Sequence, residues 1–355
     1  MRARTNKYQF MIQGITAAAV AGLIGIGAIG CEKEQPPPPA NGTTNAPSPG
    51  GAAGAKKKIV FVFKKGGISY SEACKAGAEQ AANDASLNAD VQYQAAPEGS
   101  PEKQKDIIEQ AIVGHADAIV VSPVDSKAIV PTLQKAKDAG IRVFTWDADA
   151  PESPREFYVA AVDDVQIGVD IADGLAKSIG EKGAVLLISG QTNAENLNKH
   201  LDGIKQGLAK YPGIKAVMPP YYNEDDTTKA KQVAVAALQA HPEAVAIAGT
   251  NSVTPRGAGE ALGTLHKIGT VKVWGLGLPS ETKPYLKNGS VTGLYLWDPQ
   301  KLTYITAKLV KEALDGKMPK DGDTIPDGTI HVKGPLVTLP LRLEITKDNV
   351  DSLKF

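Results

Sequence analysis

The sequence predicts an α/β chain with two similar lobes, each built on a mostly parallel central sheet. Two observations carry this. Short apolar, β-branched runs alternate with Ala- and Gly-rich segments of helical periodicity, and the alternation restarts after Ala150. The helix-like segments also keep small residues on one face, as with Ala73, Gly77 and Ala81, which lets a helix lie close on a sheet. The 355 residues suit two domains, and 39 basic against 39 acidic side chains give no electrostatic case for nucleic acid.

The organising unit runs from Asp117 to Asp149. Ala118–Val121 reads as a strand buried on both faces, broken by Ser122-Pro123-Val124-Asp125. Ile129, Leu133 and Ala136 recur at helical spacing, and Ala139-Gly140 ends that helix. Ile141–Thr145 is the next strand, followed by Trp146-Asp147-Ala148-Asp149. Ligands of open α/β sheets sit outside the carboxyl ends of strands, so Ser122, Asp125, Trp146, Asp147 and Asp149 are expected at one crevice.

Upstream, Arg2, Arg4 and Lys7 precede an uncharged stretch, Tyr8 to Gly30, which reads as an export signal over residues 1–30. It ends in Ala28-Ile29-Gly30-Cys31, which resembles the lipobox of bacterial lipoproteins, with Cys31 as the lipid-attachment residue. An uncleaved membrane-spanning anchor is the other reading of this apolar run. Either places the remainder outside the cytoplasm, tethered. Residues 31–56, with Pro36–Pro39, form a tether too polar and Pro-rich to fold.

The first lobe opens with the strand Lys58–Phe63, the loop Lys64–Tyr70 and an Ala-rich helix from Ser71 to Asn83. Cys74, inside that helix, reads as a buried inert thiol. Asp90–Gln94 is a strand, and Pro101 starts a helix with an Ile107, Ile108, Ala111, Ile112 stripe. After Ala150 come the strand Glu156–Val162 and a helix capped by Asp163 or Asp164. The strands Gly183–Ile188, Ala216–Pro219, Ala244–Ala248 and Val271–Gly275 then alternate with helices. A short helix, Pro284 to Asn288, closes on Gly289; Val291–Leu296 is a strand, and a strong helix runs from Pro299 to Leu314. The tail Leu336–Ile345 is extended.

Several segments together resemble the periplasmic sugar-binding proteins of ABC transporters with the type I fold, nearest the rhamnose- and autoinducer-2-binding branch. They are Phe144–Asp149, Gly275–Pro279, Lys283–Val291, Leu296–Pro299 and Ile345–Asp351. The resemblance covers roughly Lys57 to Phe355. It implies two Rossmann-like lobes joined by three hinge strands: residues 57–161 plus about 298–334, and 162–297 plus about 335–355. It implies a non-enzymatic, cofactor-free, monomeric protein that captures a sugar or polyol for an ABC permease, held at the membrane by its lipid. A ligand-presenting sensor subunit is the alternative. Carried over singly, ligand contacts are expected from Lys64 (Lys65 being the register alternative), Tyr70, Gln104 and Asp147 in the first lobe. Glu195, Asn196, Asn198, His200, Thr250, Asn251 and Ser252 are expected from the second, with Asp298 at the hinge. Glu195 and His200 stand where the branch has aspartate and arginine, and the hinge strand Leu276-Gly277-Leu278 lacks the aspartate that many relatives carry.

The residue chemistry fits a sugar, which offers hydroxyls and apolar C–H faces. Asp147, Asp149, Gln104, Glu195, Asn196, Asn198 and Asn251 can form hydrogen bonds to hydroxyls; Tyr70, Trp146 and Trp297 can cover faces. Asp149 has a second reading as a turn residue, and Trp146 as core. His115, His241, His266 and His331 show no metal-ligand spacing. The chain has no Cys-x-x-Cys, His-Glu-x-x-His or Gly-x-Ser-x-Gly motif. A glycosidase-like use of Asp147 and Glu195 as an acid/base pair is a distant alternative. A transcription regulator would need a helix-turn-helix where this chain has its signal and tether.

Overall fold

Continuous apolar runs, not alternating ones, fill the centre of both sheets, as expected of parallel strands covered on both faces. The computed structural model describes residues 56–355, within one compact unit, Gly54–Phe355. The signal, Cys31 and the tether lie outside the described residues. The elements, in chain order, are β1 (Lys57–Phe63), α1 (Ser69–Asn83), β2 (Ala89–Ala95), α2 (Pro101–Val113), β3 (Ala118–Val121), α3 (Val130–Asp138), β4 (Arg142–Trp146) and β5 (Tyr158–Ala160). There follow α4 (Asp164–Ser178), β6 (Lys182–Ser189), α5 (Glu195–Leu208), β7 (Gly213–Tyr222), α6 (Thr227–Ala240), β8 (Ala244–Gly249), α7 (Thr254–Thr264), β9 (Lys272–Leu276), α8 (Pro279–Lys287) and β10 (Gly293–Leu296). The last are α9 (Pro299–Leu314), β11 (Thr324–Ile325), β12 (Gly328–Thr329), β13 (His331–Lys333), β14 (Leu336–Thr338) and β15 (Leu343–Ile345).

The first sheet has the order β13-β14-β5-β4-β3-β1-β2, and the second β15-β10-β9-β8-β6-β7. All pairings within them are parallel except β13–β14 and β10–β15. The α/β class with two mostly parallel sheets is therefore as the sequence predicts. The chain crosses from one sheet's lobe to the other at 161–163, 297–298 and 339–342. The last crossing corrects the expected boundary at 334/335. Leu336–Thr338 pairs with β5 in the first sheet, and only Leu343–Ile345 joins the second. The tail reads as one extended run because a strand that changes sheets stays extended throughout. Helix α8 also begins earlier than expected, at Pro279, since Pro284 lies inside it.

Glycines set how closely helices approach. In α4 against α5, a Cβ on Gly203 would run into the Val165 carbonyl and the Gly168 backbone. At α1 against α9, a Cβ on Gly77 would meet the Gln300 carbonyl. The carboxyl ends of β1, β3 and β4, and of β6, β7 and β8, carry the loops that form the site.

Helix propensity alone favours Gly203→Ala by about 1 kcal/mol, but overpacking in a closed interface costs about 1–3 kcal/mol. Gly203→Ala is expected to lower the thermal midpoint measured by circular dichroism. A raised midpoint would show that α4 and α5 separate freely.

Candidate functional site

Asp147 follows β4 with φ 61°, a left-handed conformation that non-glycine residues seldom hold. Its N–H donates to the Val159 carbonyl at 3.0 Å, which fixes the turn. Its carboxylate is buried, and both of its oxygens accept. The Tyr70 hydroxyl donates to Oδ1 at 2.8 Å, the Ser122 hydroxyl donates to Oδ2 at 2.7 Å, and Lys64 Nζ lies 3.0 Å from Oδ2. Trp297 Nε1 donates to the Tyr70 oxygen at 2.7 Å. Burial first, and the Asp147 charge second, push the Tyr70 phenol well above its ordinary range, so it remains a neutral donor. Lys64 also reaches the second lobe, donating to Asn196 Oδ1 at 3.2 Å.

The second lobe contributes α5 and two loops. His200 on α5 places Nδ1 3.0 Å from the Thr250 carbonyl and Nε2 3.2 Å from Asp164 Oδ1. The Asn251 amide donates to Asn223 Oδ1 at 2.8 Å and to Asp225 Oδ1 at 2.6 Å. Gly190 is required beside them, because a Cβ there would collide with Asp225 Oδ1. The Ser189 and Thr250 hydroxyls share a 2.7 Å bond.

Between the lobes lies a narrow cavity of about 40 Å³. Its polar lining is Lys64, Lys65, Asp147, Asn196, His200 and Asp225, with Thr250, Asn251 and Ser252. Phe63, Ile68, Tyr70, Leu197, Leu276, Leu296 and Trp297 supply the rest. The rim is latched in three places. Lys65 Nζ donates to the Glu224 carbonyl at 3.2 Å, Asn193 Nδ2 donates to Asp125 Oδ2 at 2.9 Å, and Ser69 Oγ donates to Glu281 Oε1 at 2.6 Å.

Of the residues singled out from sequence, Lys64, Tyr70, Asp147, Asn196, His200, Thr250, Asn251 and Ser252 line this cavity. Four do not. Gln104 is buried behind it, donating to the Ser122 carbonyl at 2.8 Å and accepting from Val124 N at 3.0 Å, so it braces the loop after β3. Asn198 turns to the Thr192 carbonyl, 3.0 Å away. Asp298 caps α9, accepting from Gln300 N at 2.9 Å and Lys301 N at 3.2 Å. Glu195 pairs with Lys199 at 2.9 Å. Asp149, also expected at the crevice, instead accepts from Thr145 Oγ1 at 2.6 Å and binds the Arg155 guanidinium, Nη2 donating at 2.7 Å. Trp146 is core, its ring 5.2 Å from Phe61 and 5.6 Å from Phe63.

Sequence reasoning left Phe63, Ile68, Leu197, Asp225, Leu276 and Leu296 unassigned. Asp225 had a signal, the Asn223-Glu224-Asp225-Asp226 run after a strand. The apolar residues read only as core. Among the described residues no group of three or more His, Cys, Asp and Glu side chains is placed to hold a metal ion.

Comparison with known proteins bears on this geometry. Residues 59–318 match the family model described as periplasmic binding protein domain. The D-ribose/D-allose-binding protein of Pseudomonas aeruginosa is 30% identical over 241 residues, covering 66% of this chain and 73% of that protein. The structure of LsrB from Clostridium saccharobutylicum in complex with AI-2 superposes with TM-score 0.77 at 25% identity, covering 84% of this chain and 100% of that one. A Burkholderia graminis ABC transporter solute-binding protein in complex with D-arabinose gives TM-score 0.73 at 28% identity, covering 86% and 100%.

Electrostatics sets Glu195 apart. Burial raises its carboxyl above the ordinary glutamate value of 4.5; Lys199 opposes this, and the charges of Asp149 and Asp164 add to it. Burial pushes Lys199 down, but its hydrogen bond to Glu195 and those same carboxylates more than offset that, so it is raised as well. Both shifts report one acidic neighbourhood. A carboxyl raised in the fold contributes stability that is present below its unfolded value and lost as pH rises through its folded value. Glu195→Gln is therefore expected to raise the thermal midpoint at neutral pH, with the gap closing as pH falls towards 4.5. Melting curves of both proteins across this range test it, and a gap that widens toward acid would reject it.

Proposed function

We propose, on the premise that this chain belongs to the periplasmic binding protein domain family, that it captures a small sugar or polyol outside the cytoplasm. The solute is bound between the lobes and handed to an ABC import permease. The observation that carries this reading is the interlobe cavity with polar groups from both lobes, bridged by Lys64 between Asp147 and Asn196. A ligand that touches both lobes binds the closed state better than an open one, and that difference drives closure. Asp147, with its oxygens already engaged, sets the positions of Lys64 and Tyr70. The ligand contacts in this reading are Lys64, Asn196, Asp225 and Ser252, against the rings of Tyr70 and Trp297, with Asn251 holding Asp225 in place. Cys31 carries the lipid that holds the protein at the membrane.

Thermal-shift screening of the 56–355 unit against monosaccharides, deoxy-sugars and polyols tests the reading, because a solute that binds only the native state raises the midpoint by mass action. At least one saccharide or polyol is expected to do so; none doing so would reject the proposal. For the strongest hit, Asp147→Ala is expected to weaken binding by about tenfold or more, since it leaves the buried Lys64 ammonium without its carboxylate. Unchanged affinity in a calorimetric titration would remove Asp147 from the site.

A further inference from the structure

The charges around the cavity are matched in every place but one. In the first lobe Lys64 lies 3.0 Å from Asp147 Oδ2, so that carboxylate has its cation. Lys65, the other ammonium in the lining, donates to the Glu224 carbonyl and faces Asp226 at 3.8 Å. The Glu224 side chain pairs with Lys229. His200 sets its ring nitrogens against the Thr250 carbonyl and Asp164. Asp225 stands between Glu224 and Asp226, lines the cavity and is 7% exposed. Among the described residues no Lys, Arg or His nitrogen lies within 4.0 Å of its carboxylate.

That carboxylate also has acceptor capacity to spare. Asn251 Nδ2 donates to Oδ1 at 2.6 Å, and among the described residues no donor is bonded to Oδ2. An ionised carboxylate can take about four such bonds. The backbone is unusual at the same place. Glu224 and Asp225 hold φ 55° and 52°, left-handed conformations that non-glycine residues seldom adopt. Glu224 and Asp226 are spent on lysines outside the cavity, while Asp225 between them faces in. Strained backbone that presents a buried, uncompensated charge is the pattern of a ligand clamp rather than of a packing residue.

We infer that the captured solute carries an ammonium group, as an amino sugar or amino polyol does, and that its nitrogen seats on Asp225. This rests on the sugar-capture reading above. A hydroxyl can donate to Asp225, but it leaves the buried charge uncompensated. An ammonium both donates and neutralises. The carboxylate is already desolvated in the protein, so the pair costs only the dehydration of the ligand's nitrogen. Close charge pairs of this kind couple strongly enough for a preference of about tenfold or more.

The test is isothermal titration of the 56–355 unit with matched sets at neutral pH. D-glucosamine, D-galactosamine and D-mannosamine are each compared with the parent hexose and with the neutral N-acetyl form, and serinol is compared with glycerol as the smallest pair. One amine is expected to bind about tenfold or more tighter than its hydroxyl parent and its uncharged form. Asp225→Asn keeps the oxygen that Asn251 bonds and changes little volume; it is expected to bring the ratio of amine to parent to within about threefold of one. A merely structural role for Asp225 would weaken amine and parent alike and leave their ratio unchanged. An unchanged ratio, or parents that bind as tightly as their amines in the unaltered protein, overturns this inference while leaving the sugar-capture reading intact. The second of these comparisons needs no variant. No binding by any saccharide or polyol, charged or neutral, overturns both.

Discussion

One buried carboxylate orders the middle of this molecule. Asp147 accepts from Tyr70 and Ser122 and pairs with Lys64, all far from solvent. A buried pair of this kind adds little net stability, because desolvation offsets most of its attraction. What it contributes is position. Residues from β1, α1, β3 and β4 converge on one group, and a charge that cannot be left unpaired holds each of them in place. The left-handed backbone at Asp147 makes this possible, since an extended residue there would continue the strand alternation begun at Trp146.

The second lobe solves a similar problem without a buried ion pair. Asn223, Asn251, Thr254 and Asp225 form a hydrogen-bonded cluster that fixes the loops after β7 and β8. Gly190 leaves the space it needs. Each half of the cleft is thus held by its own hydrogen bonds, and Lys64, Lys65, Asn193 and Ser69 are among the residues that make polar contacts between the halves. Halves so held, joined by polar bonds, suit a protein that must open and close without remodelling either side.

Much of this was legible in the sequence. Apolar runs and small-residue helices report burial directly, so the α/β class and most elements follow from pattern alone. Asp147 was legible because it lies just past the end of a strand run, whereas Lys64 and Tyr70 were reached through the family resemblance. Gln104, Asn198 and Asp298 were not separable from them, because a polar residue that braces a loop or caps a helix has the same composition and spacing as one that touches a solute. Only the bond partners distinguish the roles. Leu276 and Leu296 were hidden for the opposite reason: an aliphatic side chain at a strand end reads as core whether it faces the sheet interior or a cavity. The tail after Lys333 misled because an extended strand carries no mark of which sheet it joins.

The capping aspartates have a mechanical consequence. Asp163 and Asp298 each stand at a crossing and commit a carboxylate to the first turn of the helix that follows, α4 or α9. A capped turn resists fraying, so bending at these crossings is confined to the few residues just before each cap. The third crossing is not independent. Leu339 N and Leu341 N donate to the carbonyls of Ala160 and Ala161, at 2.8 and 3.3 Å, lashing it to the first. Three connections therefore act as two: a double-stranded ribbon and a single strand. Such a joint has the form of a leaf spring, compliant about one axis and stiff in torsion, which would return two opening lobes to the same register.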